Sequence, residues 1–286
     1  ERSATTRRVL HAGGHTRAVS QAPALADALG PLRAEPRRSA VLLDVDGTLA
    51  PIVRHAEQAQ VPESTRVLLA EVARRYGVVA CVTGRRASDA RSMVSIGTIS
   101  YLGTHGTELL RAGWAEPKLE PEVEEWVRRI QDFGRQADTP ELRRLRIRRE
   151  DKGPIVAFHW RGATDEEAAR AAVDEVAGRA EGAGLRTHWG RKVLEVRPPV
   201  RMDKGAGITS FLADEDVDAA LYAGDDATDL DAFRALSELR EQGRLSHAVR
   251  VGVVSDEGPS GIAGEADFTV EGTDGVRELL TALLQD

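Results

Sequence analysis

The chain has 286 residues and a formal net charge of −7, with 46 acidic against 39 basic side chains; this length fits two domains better than one, and the charge argues against a nucleic-acid footprint. Its single cysteine, Cys81, excludes an intrachain disulfide and a cysteine-based zinc site. No stretch approaches the ~18 consecutive apolar residues of a spanning helix, so the expectation is a soluble, cytoplasmic protein, monomeric or weakly oligomeric, without nucleic-acid or membrane partners.

Residues 1–38 are rich in Arg, Ala, Gly and Pro and read as an accessory arm holding one weakly periodic piece, Ala18 to Leu29. In it His11 and His15 flank a Gly-Gly pair, which suits either a metal tract or plain solvated histidines. An apolar run, Val41-Leu42-Leu43, then ends in Asp44-Val45-Asp46-Gly47-Thr48. A buried strand fits the run, and the glycine turn lifts two carboxylates to its carboxyl end, the ligand crevice of a parallel sheet. The spacing predicts a helix from Pro62 to Tyr76, stopped by Gly77. A second buried strand, Val78 to Val82, runs into Thr83-Gly84-Arg85-Arg86, with Cys81 as a buried, inert thiol. A third strand, near Ile99 to Leu102, leads to Gly103-Thr104-His105-Gly106-Thr107-Glu108. Strand and helix alternating in this way predict a parallel sheet wound with helices.

The rhythm then changes. Helices are expected from Glu122 to Phe133 and from Asp165 to Ala180, among short strands at Leu145 to Arg148, Ile155 to Trp160, Leu185 to Trp189 and Val193 to Arg197. Such a run predicts a small antiparallel sheet backed by two helices, inserted in the first layer system. The parallel rhythm returns with a helix from Ala206 to Leu212, a strand Ala220 to Gly224, a helix Thr228 to Leu239, strands Val249 to Val254 and Phe268 to Val270, and a closing helix after Asp274. The expected organisation is α/β: a discontinuous core over 39–108 and 201–286, interrupted by an α+β insertion over 109–200, whose two crossings can act as hinges.

Two acids at a strand end suit magnesium and phosphate chemistry. One carboxylate can attack phosphorus while the other moves the leaving-group proton, and a divalent cation offsets the repulsion between them and the phosphate. Gly224-Asp225-Asp226-Ala227-Thr228-Asp229 repeats that logic at a later strand end, where the acids can complete an octahedral magnesium site. The same turn also reads as a helix cap, Thr228 with Asp231 three residues on. Lys204 opens a helix and can neutralise an attacking carboxylate and a phosphoryl group, or be one more solvated cation. Thr83 can bond a phosphate oxygen through its hydroxyl and the neighbouring backbone N–H groups, or sit in a plain turn.

Taken in order, Asp44-Val45-Asp46-Gly47-Thr48, Thr83-Gly84-Arg85, Lys204-Gly205 and Gly224-Asp225-Asp226-x-x-Asp229 resemble the four motifs of the haloacid dehalogenase superfamily. The second acid, Asp46, marks its phosphatase branch. Further words resemble the trehalose-6-phosphate phosphatases: Gly103 to Glu108, Glu150-Asp151-Lys152-Gly153, Ala157-Phe158-His159-Trp160-Arg161 and Lys192 to Pro198. This likeness runs from about residue 40 to the C-terminus. It implies a Rossmann-like core with an inserted cap and a sugar-phosphate substrate. Asp44, Asp46, Thr83 and Lys204 then carry catalysis, with Mg2+ among Asp44, Asp46 (through its main-chain carbonyl), Asp225, Asp226 and Asp229. Gly84, Arg85, His105, Glu150, Lys152 and Glu195 would contact substrate, the last three holding the glucose ring distal to the phosphate. Thr83 where relatives often carry serine, and Leu230 where an acid is common, depart from the pattern without removing a ligand. The core motifs fit other capped phosphatases acting on sucrose phosphate, glucosylglycerol phosphate or mannosyl phosphoglycerate equally well. A catalytically silent sugar-phosphate sensor is a third reading. His105 stands open between a substrate contact and a hydrogen-bonded turn histidine.

Overall fold

The computed structural model describes residues 24–53, 58–190, 192–255 and 261–285. The arm with His11 and His15 lies outside them for most of its length; of the expected helix Ala18 to Leu29, residues 24–28 are helical, and a short helix Gly30–Ala34 follows.

Eight strands form the large sheet: β1 (Ser39–Leu43), β2 (Val78–Val82), β3 (Ser100–Gly103), β4 (Glu108–Leu110), β5 (Lys118–Leu119), β10 (Ala219–Gly224), β11 (His247–Val254) and β12 (Phe268–Glu271). Their order is β12-β11-β10-β1-β2-β3-β4-β5. From β12 to β3 every pairing is parallel, whereas β4 and β5 add antiparallel. Because strand side chains alternate, β1 sends Val41 and Leu43 to one face and Ala40 and Leu42 to the other. The first face packs against helices Glu63–Arg75, Ala87–Val94 and Gly272–Leu284 through Leu69, Val72, Val94, Leu279 and Leu283. The second packs against helices Lys204–Ala213 and Asp229–Glu241 through Ile208, Phe211, Phe233 and Leu236. Covered on both faces, β1, β2 and β10 are buried at every position, the reason they read as apolar runs without alternation.

A separate four-stranded antiparallel sheet holds β6 (Arg148–Asp151), β7 (Val156–His159), β8 (Arg186–Gly190) and β9 (Val193–Arg197) in the order β6-β7-β9-β8. Val156, Phe158, Leu194 and Val196 face its own core, closed by helices Pro121–Ala137 and Glu166–Gly182. The register sets Glu150, Ala157, Glu195 and His188 in one row on the opposite face.

Two sequence expectations are corrected, and one helix is added. The large sheet continues past residue 108 through the β4–β5 hairpin, so the insertion begins at Pro121 rather than at 109; the hairpin's strands are too short to show a period. The expected strand Leu145 to Arg148 starts at Arg148, because the helix Pro140–Arg144, capped by the Thr139 hydroxyl, and the left-handed Arg146 come first. The helix Ala87–Val94, absent from the sequence expectations, buries Ala87, Ala90 and Val94 and has its first N–H bonded by the remote Glu108 (2.6 Å). Among the described residues no helix is long and apolar enough to cross a membrane.

Candidate active site

β10, β1, β2 and β3 are neighbours, so the segments that follow them meet at one edge of the sheet. Asp44 follows β1 and still donates its N–H to Ala223 of β10 (2.9 Å); Asp225 follows β10. The turn between Asp44 and Thr48 is compact, with the Gly47 N–H donating to the Ala50 carbonyl (2.7 Å). Gly47 sits at φ +87°, and a Cβ there would fall 2.1 Å from the Asp225 carboxylate. Backbone thus touches the acid cluster directly, which only glycine permits.

Lys204, the first residue of its helix, reaches into the cluster from below and is 2% exposed. Its Nζ donates to Asp44 Oδ1 (2.6 Å) and to Asp229 Oδ1 (2.6 Å). Two things fix the helix start: the Asp203 side chain accepts from the Ala206 N–H (2.7 Å), and Gly207 lies so close to Gly106 that a Cβ would meet the Gly106 carbonyl at 2.4 Å. Asp229 accepts in addition from the Tyr222 hydroxyl and from the Asp226 N–H (2.9 Å). Saturated by three donors, Asp229 organises the site.

Carboxylate oxygens of Asp44, Asp225 and Asp229 lie within 4.8 Å of one another. Three buried acids against one ammonium leave an excess of negative charge. Burial, with Asp229 and Asp226 adding to it, pushes the Asp225 carboxyl up to about 7. The Asp44 carboxyl is likewise raised well above the usual range by burial, against the pull of Lys204. Lys204 itself stays charged: burial opposes this, but Asp229 and Asp44 more than offset it. Carboxylates held close, dehydrated and under-compensated are what a hard divalent cation stabilises. Asp225 has a long contact from the Thr48 hydroxyl (3.4 Å) and is hydrogen-bonded to the Asp44 side chain.

Asp226 does not join that group. Its carboxylate accepts from the N–H (2.7 Å) and hydroxyl (2.6 Å) of Thr228. This reverses the expected capping: Thr228 donates within the turn, and its side chain accepts nothing from the helix it precedes. Asp46 points elsewhere too, and Arg85 grips it with two bonds of 2.6 Å, Nε to Oδ2 and Nη2 to Oδ1. Thr83 is buried, its hydroxyl accepting from the Arg85 N–H (3.2 Å). Beside Gly84 stands the His105 ring, 2.9 Å from where a Cβ would lie. His105 and Thr104 both adopt left-handed φ, +57° and +49°. Their N–H groups donate to the carbonyls of Thr83 (3.0 Å) and Arg85 (2.7 Å).

On the polar face of the small sheet, Lys152 Nζ donates to Glu195 Oε1 (3.0 Å), while Glu150 pairs with His159 Nε2 (2.7 Å). Lys152 and Glu195 therefore meet, and Glu150 lies across the row from them. Burial would raise the Glu195 carboxyl, but Lys152 and Arg197 hold it at about 2. Burial, helped by Arg197, lowers His105 to about 4 and keeps its ring neutral. Sequence reading missed Tyr222, Glu108 and Arg197; each acts through a contact remote in the chain or hidden in a run of β-type residues.

A family model described as trehalose-phosphatase matches residues 42–272, a span that holds every one of these groups. The chain belongs to the trehalose-phosphatase family. Among the relatives of this trehalose-phosphatase chain is a protein of Oryza sativa subsp. japonica named probable trehalose-phosphate phosphatase 9, 32% identical over an alignment of 248 residues, with 78% of this chain and 64% of that one covered. The match spans less than two thirds of the length of the first plant relatives. Of solved structures, one titled trehalose-6-phosphate phosphatase related protein superposes with a TM-score of 0.63 at 25% identity, covering 85% of this chain and 95% of that one. The C-terminal domain of a trehalose-6-phosphate phosphatase from C. albicans gives 0.68 at 20% identity, over 90% and 96%, and shares the fold.

Proposed function

We propose that the chain hydrolyses trehalose 6-phosphate to trehalose and phosphate, in a magnesium-dependent reaction through an aspartyl phosphate on Asp44. The observation that carries this reading is the buried Asp44 carboxylate, aligned by Lys204 beside Asp225 at the mouth of the parallel sheet in a trehalose-phosphatase chain. Asp44 attacks phosphorus in line with the departing sugar oxygen. Asp46 gives that oxygen a proton and later takes one from the water that cleaves the intermediate. For this it must part from Arg85, and the substrate phosphate offers the guanidinium a bidentate alternative. Lys204, charged and buried, offsets the negative charge of the transferring group, and the Thr83 hydroxyl with the N–H groups of the Gly84 turn holds its oxygens.

Mg2+ held by the carboxylates of Asp44 and Asp225, with the main-chain carbonyl of Asp46, would neutralise charge between nucleophile and phosphate. Asp229 and Asp226 support that set, the first by fixing Lys204, the second by closing the turn. The inserted layer acts as a cap whose polar face, with Glu150, Lys152 and Glu195, binds hydroxyls of the distal glucose and shuts out water. The test is phosphate release from a panel of sugar phosphates with Mg2+ and with excess EDTA. Trehalose 6-phosphate should be preferred and EDTA should abolish turnover; preference for a monosaccharide phosphate would remove the substrate assignment, and full activity in EDTA the metal.

A further inference from the structure

Arg197 ends β9 immediately before Pro198-Pro199, where the chain returns to the core. Its guanidinium is largely buried, with 15% of the side chain exposed. Nε and Nη2 donate to Glu195 Oε2 (3.1 and 2.5 Å), and Nη2 also reaches His105 Nε2 at 3.4 Å. His105 belongs to the other layer system. It is locked by the N–H bonds that it and Thr104 make to the carbonyls of Thr83 and Arg85. One continuous path of polar contacts therefore runs from the Thr83–Arg85 loop through His105 and Arg197 to Glu195 and Lys152. The neutral His105 ring has Nε2 free to accept from Arg197, which places its proton on Nδ1.

Resting on the reading that Glu195 faces the sugar and the Thr83–Arg85 loop the phosphate, we infer that Arg197 is a positioning residue that couples sugar engagement on the cap to the phosphate loop of the core. A planar fork can hold Glu195 with one edge and touch His105 with the other; a lysine ammonium keeps the charge but cannot span both in fixed directions. A sugar that takes hold of Glu195 thereby fixes Arg197, and Arg197 fixes the turn behind the phosphate loop. Substrates without a distal ring gain nothing from this path.

The experiment is a double-mutant cycle of Arg197→Lys and His105→Ala, with Arg197→Met as the full removal, read as kcat and KM for trehalose 6-phosphate and for an aryl phosphate, with thermal unfolding of every variant. Expected is a loss of ten- to a hundredfold in kcat/KM for the sugar phosphate with Arg197→Met, much of it in kcat because closure is incomplete. Arg197→Lys should lie between parent and Met. On the sugar phosphate the double variant should lose at least threefold less than the product of the single losses, and aryl phosphate should show no such interaction. Equal losses on both substrates, or multiplicative losses on the sugar phosphate, overturn the coupling. Should the parent prefer another sugar phosphate in the panel, the trehalose reading fails, and the same cycle on that substrate still decides the role of Arg197. A parent inert to every sugar phosphate overturns both.

Discussion

The acid cluster of the core and the polar face of the cap sheet are both built from charged side chains, yet their carboxylates shift in opposite directions. In the core burial, reinforced by Asp229 and Asp226, lifts Asp225 to about 7; in the cap burial also pushes Glu195 up, but a lysine and an arginine on its two oxygens more than offset this and bring it to about 2. Side-chain exposure differs as well: 7%, 2% and 0% for Asp44, Lys204 and Asp229, against 22% for Lys152 and 41% for Glu150. The core site is sealed and short of positive charge, so it suits a cation and a phosphoryl group. The cap face is compensated within itself and more exposed at Lys152 and Glu150, though Glu195 is buried, so it suits directional hydrogen bonds to neutral hydroxyls.

Removing the carboxylate proposed as nucleophile tests the contrast most severely. Asp44→Asn should lower phosphate release by at least about a thousandfold on every substrate, since loss of a covalent nucleophile disables the whole unit, while thermal unfolding shows an intact fold. Activity within tenfold of the parent would end the assignment. Asp46→Asn should cost about 10²–10⁴-fold on a sugar phosphate and much less on an aryl phosphate, whose leaving group needs no proton; equal losses would argue against Asp46 as the acid. Changes on the cap should be smaller and selective. Glu195→Gln or Lys152→Ala should reduce kcat/KM for trehalose 6-phosphate by roughly ten- to a hundredfold, the size of one charge-assisted hydrogen bond, and leave aryl phosphates close to the parent. A variant that slows all substrates alike would erase the distinction between the two regions.

The smallest effect is on stability and has a definite sign. A carboxyl raised on folding, such as Asp225, stabilises the fold when protonated and progressively less as pH climbs from the unfolded value near 4 towards 7. Mg2+ should relieve that loss, so its upward shift of Tm should grow between pH 4 and 7. Glu195 runs the other way: its contribution is complete above the unfolded value and disappears as pH falls towards about 2, with or without Mg2+. A magnesium shift that is flat with pH would contradict the excess charge at Asp44 and Asp225.

What could be read from the chain beforehand follows the range of the interactions. The strands β1, β2 and β10 and their terminal acids are local words, an apolar run and a turn, and they lie where the pattern puts them. The polar row Glu150, Ala157, Glu195 and His188 needs the register of three strand pairings, which no single segment contains. Helix Ala87–Val94 was silent because its N-terminal bond comes from Glu108, on another strand. That Asp229 takes three donors, from Lys204, Tyr222 and the Asp226 N–H, depends on partners up to 25 residues away; as sequence, the acids of that turn look alike. Arg197 ends a strand, and its contact with His105 spans 92 residues of chain.

Lys204 stands 160 residues after Asp44, and Thr48 meets Asp225 across 177. Measured in time, this spacing means that a ribosome making the chain at roughly 5–20 residues per second exposes the strand before Asp44 many seconds before Lys204 and Asp225 exist. For that interval β1 has β2 on one side and an open edge on the other, because β10 is still unmade. The site therefore cannot assemble on an unfinished chain, and whatever shields that edge on the nascent polypeptide guards a strand that is buried at every position in the finished fold.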